Sequence, residues 1–213
     1  MRAVQCVEWG PPEKLVVADV EVPEPKPGEV RVRVAAAGIN FPDALIVQKK
    51  YQVQPPLPFT PGTEVAGTVD QVGEGVKHVH AGDRVIAFVG LGGFAEYACA
   101  PAALVAPVPA GVSDTVAAAF TLTYATSHHA LFDRGQLKSG ETLLVMGAGG
   151  GVGLAAVELG KVAGARVLAA ASSSEKLQAA REHGADVLID YSRQDLREAV
   201  KAATDGKGVD VVY

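Results

Sequence analysis

Between an apolar run, Thr142 to Met146, and a stretch of helical pattern stands a loop with unusual chemistry, Gly147-Ala148-Gly149-Gly150-Gly151-Val152-Gly153. Against the G-x-G-x-x-G pattern that binds dinucleotides, Ala148 takes the first place, Gly150 the second and Gly153 the third. Glycines there let the backbone approach a pyrophosphate and let the helix pack on the strand, while the helix N-terminus offers free N–H groups and partial positive charge. About twenty residues further on, where an NAD-selective site usually carries an acid for the ribose, stand Ser172-Ser173-Ser174 and then Lys176. Hydroxyls and an ammonium suit a 2′-phosphate through charge-assisted hydrogen bonds. The predicted cofactor is therefore NADPH, held by Ala148, Gly149, Gly150, Gly151, Val152, Gly153, Ser172, Ser173 and Lys176. Ser172 and Glu175 also have the spacing of a capping box, so one serine could serve both the helix and the phosphate.

Such a loop needs a parallel sheet behind it. Thr142–Met146 reads as a strand buried on both faces, Val152–Ala163 as a helix, Arg166–Ala170 as a second strand, and Asp186–Ile189 as a third. Between the second and third strands lies a helix with Leu177 and Ala180 inward. After the third comes a helix with Leu196, Ala199, Val200 and Ala203 on one face, and Val209–Tyr213 begins a fourth strand. Strands alternating with helices must pair in parallel, because each crossover needs room for its helix. The expected strand order is 3-2-1-4, the first half of a doubly wound sheet. That order leaves an apolar fourth strand at the edge, so roughly 60 to 100 further residues are expected to complete the functional protein.

The N-terminal half has a different texture. Val30-Arg31-Val32-Arg33-Val34 alternates with period two, as does Val76-Lys77-His78-Val79-His80, and glycine- and proline-rich turns follow one another closely. A small, partly closed β-barrel is expected there, with helical sequence running from Thr115 to Leu131. Two domains follow: residues 1–120 as a β-rich domain and residues 121–213 as the nucleotide domain.

Composition limits the partners. The 213 residues are 48% hydrophobic and 20% charged with a net charge of −5, an ordinary globular balance without a basic run for nucleic acid or anionic membrane. Two distant cysteines, Cys6 and Cys99, build neither a zinc knuckle nor a disulfide scaffold. The first residues lack a leader pattern and no eighteen apolar residues run together, so a cytoplasmic, soluble protein is expected. His128 and His129 point about 100° apart on a helix and cannot chelate one metal together, and His78 and His80 share a strand face without a third ligand.

Several stretches resemble one family. They are Ala36-Ala37-Gly38-Ile39-Asn40-Phe41-Pro42-Asp43, Pro61-Gly62-Thr63-Glu64-Val65-Ala66-Gly67-Thr68-Val69, Val72-Gly73-Glu74-Gly75-Val76, Ala81-Gly82-Asp83-Arg84-Val85 and the Ala148 form of the glycine loop. In this order and spacing they resemble the zinc-independent, zeta-crystallin-like quinone oxidoreductase branch of the medium-chain dehydrogenase/reductase superfamily. The resemblance covers essentially the whole chain. It implies an α/β architecture, a GroES-like β-barrel catalytic domain followed by a doubly wound Rossmann domain, with the nicotinamide in the cleft between them and a homo-oligomeric, homodimeric assembly. Zinc-dependent members carry cysteine, histidine and cysteine where this chain has Asn40, Thr63 and Leu122, so the resemblance implies no metal. It places Asn40, Asp43 and Tyr51 on the substrate side, Thr126 against the nicotinamide, and Tyr191 beside the adenine-ribose phosphate. Asn40 can donate to a carbonyl oxygen, and Tyr51 can donate and supply a proton. The implied reaction is NADPH-dependent hydride transfer to a small-molecule quinone or α,β-unsaturated carbonyl. Its alternatives are an enoyl-thioester reductase of the same family or a non-catalytic, crystallin-like NADPH-binding protein.

Overall fold

The computed structural model describes residues 1–213. By contacts the chain divides into two compact units, Met1–Leu122 and Thr123–Tyr213.

The first unit opens with β1 (Arg2–Gln5), which pairs antiparallel with β2 (Val16–Asp19). Next come β3 (Glu29–Gly38), the short helix α1 (Phe41–Val47), β4 (Glu64–Val72), β5 (Arg84–Phe88), β6 (Tyr97–Pro101) and β7 (Val105–Pro107). The last five strands form an antiparallel sheet in the order β6-β3-β4-β5-β7. Alternation sets its faces: Val30 and Val32 go fully inside with Val65, Val69 and Val85, while Arg31 turns outward to Asp70 and Glu24. Burying each such aliphatic side chain stabilises the unit by about 1.5–3 kcal/mol. The β3–β4 register slips twice, between Arg31 and Val32 and between Val34 and Ala36, so the paired strands bend as they run toward Gly38 and Glu64.

Two local expectations fail in this unit. Residues 76–80 are irregular loop, not a strand. Val79 is buried, and Val76, three positions earlier, packs against the same core cluster; side chains of a strand point the same way only at even spacings. With the strand goes the shared face of the histidines: the ring of His78 meets the Ala102 carbonyl at 3.0 Å, whereas His80 lies 3.7 Å from Asp83. The expected helix from Thr115 to Leu131 is also broken. Helix α2 (Asp114–Ala118), capped by Ser113, stops at Ala119, and α3 (Thr121–His128) starts anew before a π-helical turn over His129–Arg134.

In the second unit follow β8 (Thr142–Met146), α4 (Gly151–Val162), β9 (Arg166–Ala171), α5 (Ser174–Glu182), β10 (Val187–Asp190), α6 (Leu196–Ala203) and β11 (Val211–Val212). The four strands are parallel in the order β10-β9-β8-β11, the predicted 3-2-1-4 arrangement. Successive residues of β8 and β9 serve two cores. Leu143, Val145, Val167 and Ala169 pack with Ala156 and Val157 of α4 and Ala180 of α5. Leu144, Leu168 and Ala170 pack with Ile189 and with Leu196, Ala199, Val200 and Ala203 of α6. A strand covered on both faces has no polar side, which is why β8 and β9 read as continuous apolar runs.

Candidate functional site

In the second unit the candidate residues gather at the carboxyl ends of the parallel strands, where ligands of open α/β sheets bind. After Met146 the chain turns at Gly147, whose φ of +63° favours a residue without a side chain. Buried Ala148 anchors the loop by donating its N–H to the Ala170 carbonyl on β9 at 3.1 Å. The remaining glycines have distinct reasons. A Cβ on Gly153 would stand 2.4 Å from the Gly147 oxygen and 2.9 Å from the Ala148 Cα, so this glycine lets α4 sit on its own loop. A Cβ on Gly149 would meet the Lys176 Cβ at 2.4 Å, so the loop lies directly against the first turn of α5. Gly150, the N-cap of α4, is different: its nearest neighbour would be 3.5 Å away, ordinary contact. Nothing within the chain demands a glycine there, which fits a backbone kept bare for a ligand. Gly150, Gly151 and Val152 are exposed, leaving the amino end of α4 open.

Of the phosphate-side residues, Lys176 packs directly on this loop at Gly149. Ser172 and Lys176 are exposed, and Tyr191 follows β10, donating its N–H to the Ala171 carbonyl. The expected capping box is displaced by one residue. Ser173, not Ser172, caps α5, its hydroxyl accepting from the Lys176 N–H at 3.4 Å, because the helix begins at Ser174. Ser172 is thereby released from any capping duty. The acid at the end of β10, Asp190, has its Oδ1 taken by the Ser192 N–H and hydroxyl, and Arg193 stands 3.5 Å from its Oδ2. Those Ser192 bonds hold its pKa below the ordinary carboxylate value. Thr126 lies exposed on α3, and its neighbour Ser127, fully buried, donates to the Val152 carbonyl at 2.8 Å and fixes that helix against α4.

The first unit holds a different kind of site, made of side chains. Asn40 precedes α1 with Pro42 in the first turn, and the Asp43 carboxylate reaches back to accept the Asn40 N–H at 2.7 Å. The Asn40 side-chain amide donates to Glu64 Oε1 at 2.8 Å, and Glu64 Oε2 accepts the Leu122 N–H, also at 2.8 Å. Glu64 is 1% exposed and Asp43 4%. Burial pushes the Asp43 carboxyl above its ordinary value; the N–H groups of Asn40 and Gly62 pull against it, and the nearby charge of Glu64 adds to the rise. Thr63 Oγ1 is buried without a hydrogen-bond partner, and Asp43 Oδ1 has no well-formed hydrogen bond although the Gly62 N–H lies close enough to act on the carboxylate.

Beside this knot lies a cleft of about 510 Å³ whose lining includes Pro42, Ile46, Tyr51, Thr63, Phe88 and Leu122. Tyr51 is half-buried against the cluster of Cys6, Ile46, Val47 and Phe59. Asn40 and Asp43 are thus joined by hydrogen bonding, while Tyr51, unlike them, lines the cleft. Glu64 is the residue that sequence reasoning passed over. A signal existed: an ionisable residue opening a run as apolar and small as Glu64-Val65-Ala66-Gly67 is out of place unless it has a task. No three His, Cys, Asp or Glu side chains come together in a way that could hold a metal ion.

An antiparallel β unit followed by a parallel sheet with a glycine cradle is the two-part fold of the medium-chain dehydrogenases/reductases. Residues 26–110 match the family described as alcohol dehydrogenase GroES-like domain, and residues 151–213 the one described as zinc-binding dehydrogenase. The quinone oxidoreductase-like protein 2 homolog of Nematostella vectensis is 43% identical over 99% of this chain and 58% of its own length. Among solved structures, a probable oxidoreductase from Mycobacterium abscessus is 40% identical with a TM-score of 0.92, the match covering 100% of this chain and 67% of that one. The Escherichia coli quinone oxidoreductase complexed with NADPH is 37% identical with a TM-score of 0.92, covering 100% and 65%. The chain belongs to the medium-chain dehydrogenase/reductase superfamily, in its quinone oxidoreductase-like branch. It spans 58–65% of the length of the curated relatives it matches.

Proposed function

We propose that the protein is an NADPH-dependent, zinc-independent oxidoreductase that reduces a quinone or an activated enone. Residues 1–120 supply the acceptor side and residues 121–213 the nucleotide side. The observation that carries the reading is the bare backbone at Gly150 together with Lys176, which packs on the neighbouring Gly149, while Ser172 stands in the chain where an NAD site would set an acid. Gly149 packs against the Lys176 stem and so keeps this cation at the loop, where an ammonium would neutralise a 2′-phosphate. Ala148 to Gly153 would hold the pyrophosphate, Thr126 would lie against the nicotinamide, and Tyr191 would flank the phosphate. When bound, the cofactor supplies a hydride.

Everything else falls to the chain's own side chains. Asn40, Thr63 and Leu122 contribute neither thiolate nor imidazole, so the acceptor must be electrophilic without a Lewis acid. Tyr51 can donate its hydroxyl proton to the oxygen that gains charge, Asn40 and Asp43 orient the substrate, and the apolar cleft excludes water from it. A small-molecule substrate, a cytoplasmic location and a homodimer complete the proposal. The test is NADPH oxidation followed against a panel of quinones, enones and enoyl thioesters. Turnover with quinones or simple enones, at least about tenfold better with NADPH than NADH, is expected. Exclusive use of enoyl thioesters would replace the substrate class, and tight NADPH binding without any turnover would replace catalysis by nucleotide binding.

A further inference from the structure

The cleft in the first unit has a largely apolar wall, and one polar group in that wall has no partner in the folded chain. Thr63 lines the cleft with Pro42, Ile46 and Phe88. Of the lining residues that carry a hydroxyl or a side-chain amide, Tyr51, Gln52 and Thr63, it alone is buried, at 6% exposed. Its Oγ1 is covered and meets no hydrogen-bond partner. Buried hydroxyls are nearly always paired, because an unpaired one has given up water and gained nothing. A loose main chain does not explain the exception. The Thr63 carbonyl accepts the N–H groups of Val89 at 2.9 Å and Gly90 at 3.1 Å, the Gly62 carbonyl accepts that of Gly93 at 3.0 Å, and Glu64 pairs with Phe88 at the start of β4. The residue is thus fixed at the cleft wall with only its side chain free to move. A turn about Cα–Cβ moves the hydroxyl to another staggered position, breaks no hydrogen bond and is opposed only by rotamer preference. Valine would fill the same outline without a polar atom to desolvate, so the hydroxyl costs stability in the free protein. A ligand oxygen in the cleft would remove that cost.

We infer that Thr63 is a substrate-contacting residue whose hydroxyl turns into the cleft and donates to the carbonyl oxygen of the quinone or enone. The inference rests on the oxidoreductase reading above and adds a donor to it. A hydroxyl both donates and accepts, so the same group fits the carbonyl of the acceptor and the hydroxyl that this carbonyl becomes. Its donation strengthens as negative charge gathers on that oxygen. Thr63 does not supply the proton, because nothing stands behind Oγ1 to replace one that it gave away. It polarises the carbonyl, and the proton comes from Tyr51.

Two substitutions separate the hydroxyl from the shape that carries it. Thr63→Val keeps the outline and removes the hydroxyl, whereas Thr63→Ser keeps the hydroxyl and removes the methyl. NADPH affinity, thermal midpoint and kcat/KM with a benzoquinone and an enone are measured for the full chain in all three forms. Thr63→Val is expected to lower kcat/KM about tenfold or more, the loss of a donor to a developing charge. NADPH affinity should stay within about threefold, as expected of a group that acts on the acceptor alone. The thermal midpoint of the same variant should hold or rise by about 2–4 °C, since an unpaired buried hydroxyl is gone. Thr63→Ser, with its hydroxyl restored, is expected to recover most of the lost kcat/KM. Unchanged kcat/KM in Thr63→Val means that the hydroxyl is idle and overturns the inference. A midpoint lowered by Thr63→Val overturns it as well, because the hydroxyl then has a partner in the free protein. Equal losses of kcat/KM in both variants assign the effect to the shape of the wall and overturn it too. Absence of turnover by the unsubstituted chain is a failure of the oxidoreductase reading itself, seen before any variant is compared, and takes the inference with it.

Discussion

The two units build their candidate sites from opposite materials. In the second unit the site is backbone: a turn at Gly147, a bare Gly150 and the free N–H groups at the start of α4, with side chains added only at its margin. In the first it is a knot of side chains, Asn40, Asp43 and Glu64, two of them buried acids tied to main-chain N–H groups. A backbone site is written in consecutive residues, because one loop makes it. A side-chain knot is written in pieces, with Asn40 and Glu64 separated by α1 and a long loop and joined to Leu122 from much further along the chain. The first kind tolerates variation at its edge and none in its glycines; the second should fail as a unit.

The sharpest way to break this contrast is to treat the glycines as equivalent. Gly153→Val sets a branched side chain against the Gly147 oxygen and Ala148 Cα, neither of which can rotate away. Overpacking against backbone is expected to cost more than about 3 kcal/mol, read as lost soluble yield or a collapsed thermal midpoint. Gly150→Ala has room for its methyl, with φ at −92°, and as an N-cap change should cost no more than about 1 kcal/mol. Its damage should instead appear as weaker NADPH binding by calorimetry. Equal destabilisation by the two would mean that Gly150 is as structural as Gly153.

The knot offers the next largest effect. Glu64→Ala strands the Asn40 amide and the Leu122 N–H in a buried setting, which is expected to cost about 3 kcal/mol in urea unfolding. A loss under about 1 kcal/mol would show that water replaces the carboxylate, and that the knot is not a unit. Smaller again is the margin of the backbone site. Lys176→Ala should leave stability nearly unchanged, since the side chain is exposed, while NADPH loses about tenfold in affinity, roughly 1.4 kcal/mol, and NADH does not. Equal losses for both nucleotides would move the 2′-phosphate elsewhere.

The same division explains what was legible. The parallel order β10-β9-β8-β11 could be read because apolar runs and amphipathic helices alternate at their own periods, and the glycine loop because its meaning is local. The strand expected at residues 76–80 failed because Val76 and Val79 reach one core through an irregular loop, whose path depends on the neighbouring turns rather than on the alternation itself. The capping serine was misplaced by one residue for a related reason: Ser172, Ser173 and Ser174 are chemically equal, and only the end of β9 at Ala171 decides which of them starts the helix. Glu64 stayed hidden inside a recognisable motif, because its partners are fixed by the bent pairing of β3 and β4 and by the break between α2 and α3.

The smallest expected effect asks whether Asp43 belongs to the knot as an acid or only as a shape. Burial, reinforced by the charge of Glu64, raises its carboxyl above the ordinary 3.8 despite the N–H groups that it accepts from. Below the ordinary value both folded and unfolded chains hold the proton, and above the raised folded value neither does. Between the two the folded chain keeps a proton that the unfolded chain has released, so this residue's contribution to stability falls as pH rises through that window and stays lost above it. Asp43→Asn removes the titration while keeping an oxygen for the Asn40 N–H. Urea midpoints of both forms at about pH 3, 5 and 7 isolate the residue, because every other carboxylate titrates in both. The difference, variant minus parent, should grow in the variant's favour from the acid end and level off above the window. A difference that is flat across the range would mean that the Asn40 and Gly62 N–H groups balance the burial, and that Asp43 serves the turn at α1 alone.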